Sequence, residues 1–238
     1  EIDDFSNNTI TSNGEGAVYI HQHAAGMLDA SSNYTGNDID AVFVNTEINH
    51  PNDIDMTWQK LDAPYRITGS GLTVVSEVVI DAGTSIEFEQ DTRIVVRDAG
   101  SLNASGSAAN PITFTGVEKT PGYWQGILFR NTVSSNNKLH YCVVEYGGGN
   151  DTDDANIKIG RNNKAVVSIN NSTIRNASKF GVLLLQDESE ILSFQNNVIT
   201  SNGEEPVYID QHAVGMLDAS STFTGNTSDY VRIEGHVN

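Results

Sequence analysis

The 238-residue chain has one cysteine, five prolines and only 13 basic residues against 31 acidic ones. Each scarcity removes a class of function. Cys142 alone provides neither an intramolecular disulfide nor a multi-cysteine metal centre, and its place in the apolar run YCVVEY marks it as a small core hydrophobe. The lack of disulfides leaves the compartment open, because a large repetitive core is stable without them. With so few prolines and no Gly/Ser-rich or Pro-rich linker, residues 1–238 read as one continuous body. The formal net charge of −18 repels phosphate backbones and anionic headgroups, so nucleic acid is not an expected partner. An acidic coat of this kind keeps a protein soluble and suits saline or divalent-cation surroundings. No apolar stretch approaches the roughly 20 residues of a membrane span, so no membrane insertion is expected in this segment. The opening EIDD is not a signal peptide. Nucleophile elbows, phosphate-binding glycine loops, nucleotide fingerprints, EF-hand spacing and glycine-rich calcium nonapeptides are all missing.

What the chain does contain is part of itself, twice. Its first 49 residues return, edited, as its last 49, and Phe5–Asn37 matches Phe194–Asn226 at 25 of 33 positions with a constant offset of 189. The simplest reading is a window on a tandem array, in which 1–189 is one unit and 190–238 begins the next. Arrays of large near-identical units are commonly spacers, stalks or multivalent surfaces.

A shorter period runs beneath the long one. Brief apolar runs such as AVYI, AVFV, EVVI, SIEFE, RIVV, ITFT, GILF, CVVEY, NIKI, VVSI and VLLL alternate in and out at period two and are separated by Asn, Gly, Asp and Ser. Helical spacing is nowhere sustained, so the chain is all-β. Apolar positions recur at near-constant steps: Ile159, Leu185, Ile209 and Ile233 are 26, 24 and 24 apart, and Ile20 to Val44 is again 24. The expected fold is a right-handed parallel β-helix with coils of about 24–26 residues, rising about 4.8 Å each. On that basis one unit holds roughly eight coils and is about 38 Å long. Asn and Gly suit the left-handed bends at the corners, and stacked asparagines form amide ladders.

The phrases NPITFT (Asn110–Thr115), WQGILF (Trp124–Phe129) and VEYGG (Val144–Gly148), with LTVVSEVVIDAGTSIEFEQDTRIVV before them, resemble the right-handed parallel β-helix repeats of large secreted or cell-surface bacterial and archaeal proteins. The resemblance covers the whole chain. It implies the fold and an extracellular or cell-surface location, but no single activity, since that fold hosts lyases, hydrolases, adhesins and plain stalks.

Four constellations are candidates for chemistry. Asn150-Asp151-Thr152-Asp153-Asp154 superficially resembles the aspartate clusters of β-helical polygalacturonases, although contiguous residues of one turn diverge and cannot flank a glycosidic bond. Lys158 or Arg161 beside Asp153 and Asp154 resembles the base and calcium site of polysaccharide lyases, against which stands the acidic surface. The pair His21 and His23, which becomes Asp210 and His212 in the second copy, has a spacing that can present two ligands to a metal. Asp38, Asp40, Asp53 and Asp55, together with Asp151, Asp153 and Asp154, are candidate calcium ligands in Asn/Asp-rich turns.

Sugars stack on exposed rings, which makes Trp58, Tyr123 and Trp124 candidate ligand contacts, although the same rings suit packing at a corner. Tyr19 and Tyr208 are predicted to point outward. Together these readings lead to a non-catalytic structural or adhesive repeat that requires no cofactor, with calcium as the ion to test. Its expected partners are neighbouring units, further copies end to end, and glycans. The alternatives are a carbohydrate-active β-helix enzyme and a calcium-dependent glycan-binding module.

Overall fold

The computed structural model describes residues 5–47, 53–149, 154–161, 163–185 and 188–235. Parallel strands stack into three sheets. The first is β1 (Gly16–His21), β2 (Ile39–Thr46), β4 (Tyr65–Gly69), β7 (Ser85–Phe88), β10 (Ile112–Gly116), β13 (Cys142–Glu145), β16 (Thr173–Arg175) and β19 (Val198–Thr200). The second runs from β5 (Leu72–Val74) through β8 (Ile94–Arg97), β11 (Ile127–Arg130), β14 (Ala155–Ile159), β17 (Phe180–Leu184) and β20 (Val207–Asp210) to β21 (Arg232–Glu234). The third is β3 (Met56–Trp58), β6 (Glu77–Ile80), β9 (Ser101–Ser105), β12 (Lys138–His140), β15 (Val166–Asn170) and β18 (Glu190–Gln195). From β4 to β20 the chain visits the first, second and third sheets in turn, and with parallel crossovers of the usual hand the coils form a right-handed parallel β-helix.

Alternation builds the core. Ile86, Phe114, Val144, Ile174 and Ile199 point inward on successive coils of the first sheet, and Trp58, Ile80, Ala104, Leu139, Ile169 and Phe194 do so on the third. All belong to one buried cluster that extends from Ala25 to Ala213. Each such side chain contributes about 1.5–3 kcal/mol of burial. Asparagines take the left-handed corners at Asn7, Asn131, Asn171, Asn176 and Asn196. At Gly126 the backbone is left-handed too, and a Cβ would lie 2.5 Å from the Ala155 carbonyl oxygen, so only glycine fits.

The coils are less regular than the expected 24–26 residues. Along Val18, Val42, Tyr65, Ile86, Phe114, Val144, Ile174 and Ile199 the steps are 24, 23, 21, 28, 30, 30 and 25. Stacking constrains the strands and leaves corner length free, so insertions at corners change the step without disturbing the core. The position level with Ile159 and Ile209 is Leu184 rather than Leu185, which makes those steps 25 and 25. The short or polar strands MTW, YRITG, SLNAS, KLH, TIR, EILSFQ and VIT were not among those predicted.

The two sequence copies fold alike. Each strand leads into a 3₁₀ turn, Gln22–Met27 and Gln211–Met216. The Asn13 amide donates to Asn37 Oδ1 at 2.8 Å, and Asn202 donates to Asn226 Oδ1 at 2.8 Å. The backbone N–H groups of Asn7 and Asn196 donate at 2.9 Å to Ser31 and Ser220.

Candidate functional site

In a parallel in-register stack, outward residues at one level on successive coils stand one strand spacing apart and touch. On the first sheet such a column reads Tyr19, Phe43, Arg66, Glu87, Thr115, Glu145, Arg175, Thr200. Tyr19 stacks on Phe43 with ring centroids 4.5 Å apart, and the Arg66 guanidinium lies 5.3 Å from the Phe43 centroid. Arg66 donates to Glu87 Oε2 through Nε at 3.2 Å and Nη2 at 2.8 Å. Two coils further on, Glu145 accepts from Thr115 Oγ1 at 3.0 Å and from Arg175 Nε at 2.7 Å. Lys119, on the loop after β10, donates to Thr115 Oγ1 at 3.1 Å and to the Gly116 carbonyl at 2.8 Å.

From inside the barrel, Trp124 donates its indole N–H to the Glu145 carbonyl at 2.8 Å while stacking on Phe88 at 4.0 Å. This fixes the strand that carries the carboxylate. The ladder thus holds two glutamates about 9.6 Å apart along the rod, near the upper end of the carboxyl spacing used by inverting glycosidases. Glu145 spends both oxygens on Thr115 and Arg175, and Glu87 is held by Arg66. To take a substrate's proton, either glutamate would first have to give up an ion pair.

The candidate aromatics fall elsewhere. Trp58 and Trp124 are completely buried, so neither offers a ring face to a sugar. Trp58 packs against Tyr65 at 4.9 Å with its N–H on Met56 Sδ at 3.0 Å. Period-two alternation in β3 drives Trp58 inward, and the bend before β11 turns Trp124 into the bore, where its indole stacks on Phe88. Tyr123 keeps partial exposure beside Gly116, and burial, reinforced by Glu89 and Glu118, pushes its phenol pKa upward. Tyr19 and Tyr208 both point outward, their neighbours Val207 and Ile209 in the second copy filling the core; Tyr19 is 59 % exposed, and Tyr208 is half-buried against Phe180.

The described aspartates are spread among separate corners. Asp40 Oδ1 accepts the Asn37 N–H at 2.8 Å, and its copy Asp229 does the same for Asn226 at 2.7 Å. Asp38 is exposed in the same corner. Asp55 accepts the Glu77 N–H at 2.8 Å, Asp53 lies 3.9 Å from His23 Nε2, and Asp154 pairs with Lys179 at 3.0 Å. Asp151 and Asp153 lie outside the described residues. Among the described residues no group of three or more His, Cys, Asp or Glu side chains could hold a metal ion. Lys158 is buried in β14, and Lys179 pairs with Asp154.

His21 and His23 are a cap rather than a pair presented along a strand. The strand ends at His21, whose Nδ1 accepts the His23 N–H at 3.5 Å at the start of the 3₁₀ turn. In the second copy Asp210 makes the same cap to His212 N at 3.1 Å and also meets His212 Nδ1 at 2.7 Å. This shared acceptor role explains why histidine and aspartate exchange at that position.

Stacked strands with an inward core and an outward ladder define a parallel β-helix protein. Residues 49–182 match the pectate-lyase-like β-helix domain family, and the chain belongs to that family. No curated protein and no solved structure matches it.

Proposed function

We propose that the chain is a non-catalytic, rod-forming repeat of a large extracellular surface protein, which projects or displays what the array carries. The observation that supports this reading is the same hydrogen-bond network built twice, once in each sequence copy, at the two ends of one continuous core. Because residues 190–238 repeat 1–49 on the same continuous core, each unit joins the next by ordinary coil stacking, with no linker, and holds its neighbour rigidly. Weak contacts displayed once per unit then add through multivalency.

A second reading, action on carbohydrate, is favoured by the family and by the Glu87 and Glu145 spacing. The test is an assay of the purified chain for reducing-end or unsaturated products against acidic and neutral polysaccharides, with calcium present. No turnover is expected. Turnover that Glu145→Gln abolishes without lowering the melting midpoint would overturn the structural reading.

A further inference from the structure

β1 and β20 are the same strand in the two sequence copies, and so are β2 and β21, yet they lie in different sheets. β1 and β2 begin the eight-stranded first sheet, while β20 and β21 end the seven-stranded second one. Within each copy the pairing is conserved. Tyr19, Ile20 and His21 stand opposite Phe43, Val44 and Asn45, and Tyr208, Ile209 and Asp210 stand opposite Arg232, Ile233 and Glu234. On its other side β2 pairs with β4 through Phe43 with Arg66, Val44 with Ile67 and Asn45 with Thr68. Among the described residues β21 has no strand on that side.

We propose that the open edge of β21 is an interaction surface for the next unit of the same sequence, taking that unit's counterpart of β4 opposite Arg232, Ile233 and Glu234, so that the second sheet of one unit becomes the first sheet of the next. This rests on the array reading above. The seven-stranded and eight-stranded sheets then share two strands and form one thirteen-stranded sheet across the boundary.

The sheet exchange sets the geometry of the array. From β1 the chain makes seven full coils to reach β19 in the first sheet and then advances one strand to β20 in the second. A unit is therefore seven coils and one face, a rise of about 35 Å, and each unit is turned by one face relative to its neighbour. Equivalent positions return to the same side after three units, about 105 Å. The ladder from Arg66 to Arg175, present once per unit, faces a different side in each successive unit. The rod accordingly displays it all round rather than along one stripe, and a flat partner surface meets every third copy.

The test uses a chain in which residues 1–189 precede the complete sequence, with Cys142 replaced by alanine and spin labels on Tyr19→Cys in both units. Strands of about five residues make each face about 16 Å wide, so labels on different faces, offset sideways by about one face width at a rise of about 35 Å, should lie about 38 Å apart. An integral number of coils would leave them on one face, about 34 Å apart. A narrow distribution at the longer distance supports the proposal. A narrow one at the shorter distance overturns the sheet exchange while leaving the rod intact, and a broad one overturns the rigid rod and the exchange with it. The single chain labelled at Tyr19→Cys and Tyr208→Cys provides the same discrimination if the longer chain does not fold.

Discussion

Replacing Glu145 tests whether the outward ladder is structural. The Glu145 side chain is 9 % exposed and accepts from Thr115 and Arg175, while the Arg175 side chain is 45 % exposed. In Glu145→Ala, Arg175 turns to water, while Thr115 still accepts from Lys119 but loses the acceptor for its own hydroxyl proton, so the loss is at least one charge-assisted hydrogen bond, about 2 kcal/mol. For a domain of this size that lowers the melting midpoint by roughly 4–8 °C. Arg175→Ala should cost more, about 3 kcal/mol, because the carboxylate left behind cannot reach solvent as freely as the arginine can. Reversible denaturant melts followed by circular dichroism, with the double variant completing the cycle, measure both values and their coupling. Two results would refute the reasoning. If both variants cost less than about 0.5 kcal/mol, the pair is a screened surface contact. If Glu145→Ala is stabilising, the carboxylate is held in place at a cost, as catalytic groups are.

Three further outcomes follow from the same geometry. Trp124→Ala opens a cavity beside Phe88 and removes the donor to the Glu145 carbonyl, so it should destabilise by about 3–5 kcal/mol; loss of glycan binding with an unchanged melt would instead restore the indole as a sugar platform. Burial, with Lys138 nearby, holds the His140 imidazole below its ordinary value of 6.5, and Asn170 Nδ2 lies 3.1 Å from Nε2, where a neutral ring accepts. The unfolded chain therefore takes up the proton first as pH falls, so this stabilisation is complete above about pH 6.5 and is lost on acidification towards the lower folded value. Melts between about pH 8 and pH 5.5 should show the midpoint falling, and His140→Gln, which keeps an acceptor for Asn170, should flatten that part of the slope. Excess calcium should move the midpoint by less than about 1 °C relative to chelator, since Asp40, Asp55 and Asp154 are already engaged; a rise of several degrees would mean native-state ion binding and would direct attention to Asp151 and Asp153.

How much of this was legible in the sequence depended on what stacking constrains. Period-two alternation and the recurrence of Ile20 at Val44 were enough to read parallel coils, because inward positions must repeat wherever one coil lies on another. Corner length is under no such constraint. The step widens where the corners after β10 and β13 lengthen, and no apolar pattern counts residues inside a corner. The consecutive leucines of VLLL do not distinguish Leu184 from Leu185 without the register, and corner length hides the ladder: Glu87, Thr115, Glu145 and Arg175 follow one another at steps well beyond the expected coil and share no motif until the register is known.

The same freedom accounts for the sheet exchange. Near-identical sequences fix the fold of the two copies, down to the Asn13–Asn37 and Asn202–Asn226 ladders. The face on which each copy lands is set by the intervening strands and corners, which bring β20 one strand beyond a whole number of coils. A tandem repeat therefore need not be an integral number of turns. Pairing demands only that a strand edge meet a strand edge in register, which sheets from two different faces can satisfy. An insertion confined to one corner changes the coil step and leaves the facing of the units unchanged. Adding or deleting a single strand of one coil would instead alter the rotation between units, and with it the spacing at which the array meets a flat partner.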